Sequence, residues 1–172
     1  MTKMNLKEAR AMKARLGKEL EALVQKREQV AVVIIAPGES AQDYINVTVD
    51  ELTEKIDICM EKLMKLGTAI RCANAGTGAQ SGESASEDVG SLVEKVILLR
   101  KEAARCKTLG SKNPRERKNE GYMGGGDSSL VHVTTYDIEK YARRGDDIQR
   151  KAEELSARID QLDLSIMVEA DL

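Results

Sequence analysis

The sequence predicts a mostly α-helical fold: an elongated antiparallel bundle of four long, coiled-coil-like helices carrying one short two-stranded antiparallel β pair. Three observations lead there. Apolar residues recur at alternating steps of three and four along four stretches of the chain, the spacing of a helical stripe. Helix formers dominate the composition, and 33% of the residues are charged. Trp and Phe are absent and only four Tyr are present, so the core must be built from thin aliphatic layers rather than large aromatic pieces.

At 172 residues the chain fits one domain, 1–172, with a core of its own. Asn5 is placed to cap a first helix running to about Glu28, with Leu6, Ala9, Leu16, Leu20 and Leu23 on one stripe. Lys13 and Arg27 interrupt that stripe and are expected to snorkel. Val30–Ala36 is a β-branched run that resists helix and reads as a strand, stopped by Pro37-Gly38. After a loop at about 37–47, Thr48-Val49-Asp50-Glu51 has the form of a capping box. The second helix then carries Leu52, Ile56, Cys59, Leu63, Leu66, Ile70 and Ala73 as a strict seam.

A Gly- and Ser-rich loop, about 74–86, leads to a third helix from about Glu87 to Cys106, with Val89, Leu92, Val96, Leu99, Ala103 and Cys106 on its seam. A long loop, 107–129, precedes a second strand at Leu130–Tyr136, the natural mate of Val30–Ala36. Asp137 or a preceding Thr starts the last helix, whose seam runs Ile138, Tyr141, Gly145, Ile148, Ala152, Leu155, Ile159, Leu162, Ile166. Gly145 on this seam either permits close helix approach or marks a bend.

Net charge is −2, so no global field points to nucleic acid or membrane. Residues 1–28 carry eight Lys/Arg against four Asp/Glu, and residues 137–172 carry six against ten, which suggests that the first and last helices are neighbours. No apolar run is long enough to span a bilayer. No leader is visible, and three widely spaced cysteines, Cys59, Cys72 and Cys106, fit reduced thiols in a cytoplasmic protein.

Candidate chemistry is sparse. His132 is the only histidine, so a nucleophilic or metal site would have to be built around it; a His in a mixed apolar strand is more often structural. Cys59 and Cys106 lie on seams, where a thiol simply packs. Neither Gly76-Thr77-Gly78 nor Gly124-Gly125-Gly126 has the Lys-Ser/Thr ending of a phosphate loop. The carboxylate-rich helices have no Glu-x-x-His, so no bundle metal site and no cofactor is expected. The cluster Lys112, Arg115, Arg117 and Lys118, with Tyr122 and His132 beyond it, has the charge to hold an anionic partner or nucleic acid. One aromatic is poor provision for stacking bases, and a solvated loop is the simpler reading.

The order of these elements resembles a family of small bacterial proteins labelled septicolysin-like. The resemblance runs through most of the chain. It rests on the Leu-rich leading helix, on Ile70-Arg71-Cys72-Ala73-Asn74 closing the second helix, and on Pro114 after the third. It continues through a basic, Tyr-containing loop before a strand ending in Asp137-Ile138, and through Ala157-Arg158-Ile159-Asp160-Gln161 in the last helix. The chain departs from the family pattern at Gly121-Tyr122-Met123-Gly124-Gly125-Gly126 and at Asp163-Leu164. The resemblance implies the helical fold and brings no catalytic residues with it. The lysin label is not matched by an export signal, a membrane-inserting segment or any Trp.

The expected function is that of a non-enzymatic, self-associating helical interaction or assembly protein. The weaker alternatives are an anion or nucleic-acid binder acting through residues 107–118 and an enzyme with a site near His132. A homo-oligomer, most simply a twofold dimer, follows from length. The last seam spans roughly 45 Å at 1.5 Å per residue, whereas a compact domain of this size is about 30–35 Å across, which leaves apolar surface uncovered.

Overall fold

The computed structural model describes residues 4–36, 38–74, 89–117 and 130–165. Helix α1 spans Leu6–Val30, strand β1 Val32–Ile35, helix α2 Val49–Asn74 and helix α3 Val89–Gly110. Strand β2, Arg115–Arg117, strand β3, Val131–Thr134, and helix α4, Ile138–Ser165, complete the order, with a short 3-10 turn at Ala41–Tyr44 between β1 and α2.

The starts of three helices have local causes. Asn5 and Glu8 form a reciprocal capping box on α1, each side chain 2.9 Å from the other's backbone nitrogen. Thr48 and Glu51 do the same for α2 at 3.1 and 3.3 Å. Asp137 caps α4 by accepting from Lys140 N at 3.1 Å. Helix α3 runs four residues past the expected Cys106, because Leu109 buries itself against the same core as Ala103 and Cys106.

α1 packs antiparallel on α2, and α3 antiparallel on α4. Cys59 donates to Leu16 O, and Arg10 reaches Asn74, in the first hairpin. Arg100 reaches Ser156 in the second. Contacts between hairpins run parallel: Lys13 to Glu94 and Glu21 to Arg105 join α1 to α3, while Asp50 to Lys140 and Asp57 to Arg144 join α2 to α4. Together these give an up-down-up-down bundle. The expected pairing of the first helix with the last is therefore corrected, since no ion pair joins α1 to α4 among the described residues. The ion pairs that α1 and α4 make across the hairpins go instead to α3 and α2.

The sheet has three antiparallel strands rather than the expected two, in the order β1-β3-β2. The pairing of β1 with β3 is as expected, with Val32 opposite Thr134 and Ile35 opposite Val131. The added strand, β2, comes from the stretch expected to be loop, and places Arg115 opposite Val133 and Arg117 opposite Val131. Its Arg-Glu-Arg sequence has no apolar alternation, so only the neighbouring strand reveals it. Ile35 and Val131 are buried, while Ile34 on the opposite face is 54% exposed. The sheet closes one end of the bundle: Thr135 bonds Ala31 O and Val30 O at the end of α1, and Tyr136 donates to Leu109 O at the end of α3.

The seams of α2 and α3 are buried at Leu63 and Val96, and that of α4 at Ile148 and Ala152. Leu155, Ile159 and Leu162 are half-buried, and Ile166 lies outside the described residues. Between α3 and α4 the packing is close because the facing residues are small. A Cβ on Gly110 would fall 2.6 Å from both Cα and N of Ala142, and one on Gly145 would fall 2.8 Å from Lys107 Cγ and 3.1 Å from Lys107 N. Gly145 thus serves close approach, not a bend.

These contacts give two alanine substitutions opposite signs. Gly110→Ala pushes a methyl into backbone that no rotamer change can move, and should cost about 1–3 kcal/mol. Gly17→Ala, in α1 where an added methyl meets nothing within 4 Å, should instead stabilise by about 0.5–1 kcal/mol. Urea denaturation of the two single variants checks both signs.

Candidate functional site

The chemically distinctive constellation lies where all four helices meet. Arg27 of α1 is completely buried, not snorkelling as its place on the stripe suggested. Its guanidinium forks onto Glu102 of α3, Nη1 to Oε1 at 2.6 Å and Nη2 to Oε2 at 3.2 Å, and both side chains are 1% exposed. The planar fork matches a carboxylate in a way a Lys would not. Burial works against the Arg27 charge, but the bond and field of Glu102 more than restore it, so its pKa is raised.

From Arg27 a chain of bonds runs outward. Nη1 donates to Thr53 Oγ1 of α2 at 3.3 Å, Thr53 Oγ1 lies 2.8 Å from the Tyr141 hydroxyl of α4, and that hydroxyl donates to Asp50 at 2.8 Å. The carboxylate of Asp50 can only accept, which orients the single Tyr141 proton toward it. Thr53 then shares its own proton between Val49 O, at 2.8 Å, and Tyr141. Asp50 also meets Lys140 at 2.6 Å at the surface end of the chain. Burial opposes ionisation of Asp50, and the Lys140 and Tyr141 bonds outweigh it, holding its pKa below the ordinary value. Burial pushes the Tyr141 hydroxyl up, as does its bond to Asp50.

Cys106 completes the cluster, its Sγ 3.4 Å from Glu102 Oε1. Burial and the neighbouring Glu102 charge push its thiol up to about 12. It is therefore a protonated donor and no nucleophile at neutral pH. Charges are matched across the cluster, and Arg27 Nε is buried without a bond of its own. With Arg27, Glu102 and Tyr141 all sealed, these groups bond one another at every polar atom but Arg27 Nε, and only the Asp50–Lys140 end of the chain reaches the surface. Chemically the arrangement holds helices together.

A second, half-exposed node lies towards the far end of the bundle. Lys13 Nζ and Arg71 Nη2 both bond Glu94, at 2.9 and 3.0 Å, across α1, α2 and α3. Gly67 leaves room for it, since a Cβ there would fall 2.7 Å from Glu94 Oε2. Burial opposes the Glu94 charge, but the two cations hold its pKa below the ordinary value.

The residues singled out from sequence are elsewhere. Lys112 sits exposed in the turn after α3, and Arg115 is exposed on β2. Arg117 is in β2, and Glu116 between the two arginines stands opposite His132. His132 is half-buried at the centre of β3, paired with Ile34 on its other side. Lys118 and Tyr122 lie outside the described residues. Strand alternation therefore sets Arg115 and Arg117 on one face of β2 and Glu116 on the other.

Among the described residues no group of three or more His, Cys, Asp or Glu is arranged to hold a metal ion, and no helix is long and apolar enough to cross a membrane. Open surface depressions among the described residues include two along the helices. One lies on the outer α1–α2 face, lined by Leu16, Glu19, Leu23, Lys55, Ile58, Cys59 and Lys62. The other follows the charged outer face of α4 beside Lys140 and Arg144. No family model, curated protein or solved structure matches the chain, so function rests on this geometry.

Sequence reasoning missed Arg27 and Glu102 as a pair. The usable signal was reciprocal: Arg27 breaks the apolar stripe of the first helix, and Glu102 sits between Leu99 and Cys106 beside the buried Ala103.

Removing one member of the buried pair should be far worse than removing both. Arg27→Met alone strands the Glu102 charge and should cost about 3–5 kcal/mol, whereas Arg27→Met with Glu102→Leu should recover most of that loss. A double-mutant cycle by urea denaturation measures the difference.

The acid limb of stability follows from Glu94 and Asp50. Both carboxyls are depressed in the folded protein, so their contribution is complete above the unfolded values of 4.5 and 3.8 and is lost as pH falls through the lower folded values. Glu94→Gln should flatten the fall of the urea midpoint below about pH 4.5, while leaving its shape at pH 6–8 unchanged.

Proposed function

We propose that the protein is a non-enzymatic helical module that works by self-association. The observation that carries this reading is the distribution of apolar side chains. The Arg27, Glu102 and Tyr141 groups at the meeting point of the helices are sealed and, Arg27 Nε apart, bonded to their neighbours, while large aliphatics point outward from helices whose own cores are complete. Ile58 is 52% exposed, Ile97 49%, Met12 40% and Val93 39%. Single exposed aliphatics are ordinary on a surface. Here Ile58 adjoins Leu16 and Leu23 in one depression, which makes a patch rather than a scatter.

The resemblance to the septicolysin-like family, read from the order of the elements, implies a helical fold and adds no chemistry to this reading. Anion or nucleic-acid binding through residues 107–118 is the second reading. It is supported by the exposure of Lys112 and Arg115 and by the placing of Arg115 and Arg117 on one face of β2.

Sedimentation equilibrium tests the first reading. The mass should rise from 18.9 kDa towards twice that value as concentration increases. A single-chain mass persisting at about 100 µM, a concentration at which even a weak specific dimer is populated, refutes it. Steeply salt-dependent binding of mixed-sequence RNA, abolished by Lys112→Ala with Arg115→Ala, would establish the second reading instead.

A further inference from the structure

The two helical hairpins are tied to each other differently at the two ends of the bundle. At the sheet end β1, which follows α1, is paired with β3, which precedes α4. Thr135 bonds Val30 O and Ala31 O there, and the sealed Arg27–Glu102 pair and the Tyr136–Tyr141 contact belong to the same half. Towards the far end no strand joins the hairpins among the described residues. The described ion pairs that cross between hairpins in that half converge on one carboxylate, Glu94.

Glu94 belongs to the α3–α4 hairpin, and both of its partners belong to the other. Lys13 Nζ of α1 donates to its two oxygens at 2.9 and 3.1 Å, and Arg71 Nη2 of α2 donates to Oε1 at 3.0 Å. The seat is shaped for it at Gly67, which is buried and where a Cβ would fall 2.7 Å from Glu94 Oε2. Ile70, next to Arg71, and Leu92 and Val96, two residues to either side of Glu94, are buried in the same turns. Lys13 faces the carboxylate from α1, with Arg10 a turn away on Asn74, and Arg71 faces it from α2. Helix α4 meets another flank of α3, where Arg100 reaches Ser156.

We propose that Glu94 is an acid-released latch between the hairpins: ionised, it closes the far end of the bundle, and on protonation that end opens while the sheet end stays shut. Protonation removes the attraction that holds both cations and leaves Lys13 and Arg71 beside each other with no anion between them. Position decides which carboxyl can act in this way. Glu94 is 36% exposed, so water and protons reach it in the closed state, whereas Glu102 is 1% exposed and sealed. Burial opposes the Glu94 charge, and the bonds and fields of Lys13 and Arg71 outweigh it, so its pKa lies below the ordinary 4.5. The latch therefore holds fully above pH 4.5 and releases as pH falls through the lower value of the closed state. Release uncovers Ile70, Leu92 and Val96, an apolar surface that the neutral protein keeps hidden. The device works within one chain and does not rest on self-association.

Hydrogen exchange of the full-length chain, followed by mass spectrometry from about pH 7 down to about pH 3 and corrected for the intrinsic rate, tests it. Protection in 67–74 and 89–98 should fall by about fivefold or more, the scale of a partly screened charge-assisted bond. Over the same steps, protection in 49–56 and 138–148 should hold within about twofold. Glu94→Gln should show the open pattern already at pH 7, with no further loss in 67–74 and 89–98 on acidification until the sheet end also unfolds. Glu61→Gln, which removes an exposed α2 carboxylate bonded to Lys65 of its own helix, should behave as the native chain.

Loss of protection at both ends together in the native chain is global unfolding and overturns the latch, a result that needs no variant. Far-end protection that does not change with pH overturns it too. A Glu94→Gln chain that still opens on acidification places the sensor on another carboxyl and ends the proposal.

Discussion

Taking a guanidinium and a carboxylate out of water costs several kcal/mol per ion, and the bundle accepts that cost at Arg27 and Glu102, each 1% exposed. The two are each other's main compensation, so the pair tolerates little displacement. A slide of α1 along α3 by one turn, about 5.4 Å, would part them and leave both charges stranded. Apolar seams by themselves are permissive, because one leucine fits a layer much as another does. The ion pair supplies what the seams lack, a large penalty on the wrong register. Through Thr53 and Tyr141 the same constraint reaches α2 and α4, and Asp50 and Lys140 carry it to the surface.

Around this point the packing divides the work. Small residues let α3 and α4 approach until Gly110 and Gly145 have no room for a methyl, which compensates for the lack of bulky core residues. The aromatic pair in the structure, Tyr136 and Tyr141, sits edge to face at 5.2 Å between centroids and 79° between planes. It joins the strand end to the helix network: Tyr136 caps the end of α3, and Tyr141 bonds across to α2. The sheet likewise acts as a closure. Its inner residues Ile35 and Val131 seal the bundle end, and its outer edge strand carries Arg-Glu-Arg, a charge pattern that discourages pairing with another sheet.

The polar groups of the molecule thus fall into two populations with different consequences. The charges inside are paired and inaccessible, and their contribution is to uniqueness of fold. Those outside lie on open faces, and around Ile58 they alternate with aliphatics in one depression. The contrast is what directs the functional reading away from catalysis at the buried cluster and towards the outer face of α1 and α2.

Periodicity and capping are local, and they were legible. The stripes of four helices, the Asn5, Thr48 and Asp137 caps, and the β-branched runs of β1 and β3 all follow from residues within one or two turns of each other. The sequence by itself determined the helix count, the approximate boundaries and the pairing of the two apolar strands. It did not determine which helices are neighbours, since net charges of whole segments say nothing of which side chain meets which. β2 was invisible for a related reason: Arg115–Arg117 is a strand only because β3 offers its backbone bonds. Above all, Arg27 reads as a snorkelling interruption of its apolar stripe and Glu102 as an ordinary surface charge. Only the tertiary structure decided that they are buried, because burial of an ion depends on a partner 75 residues away in the chain, and no local pattern carries that information.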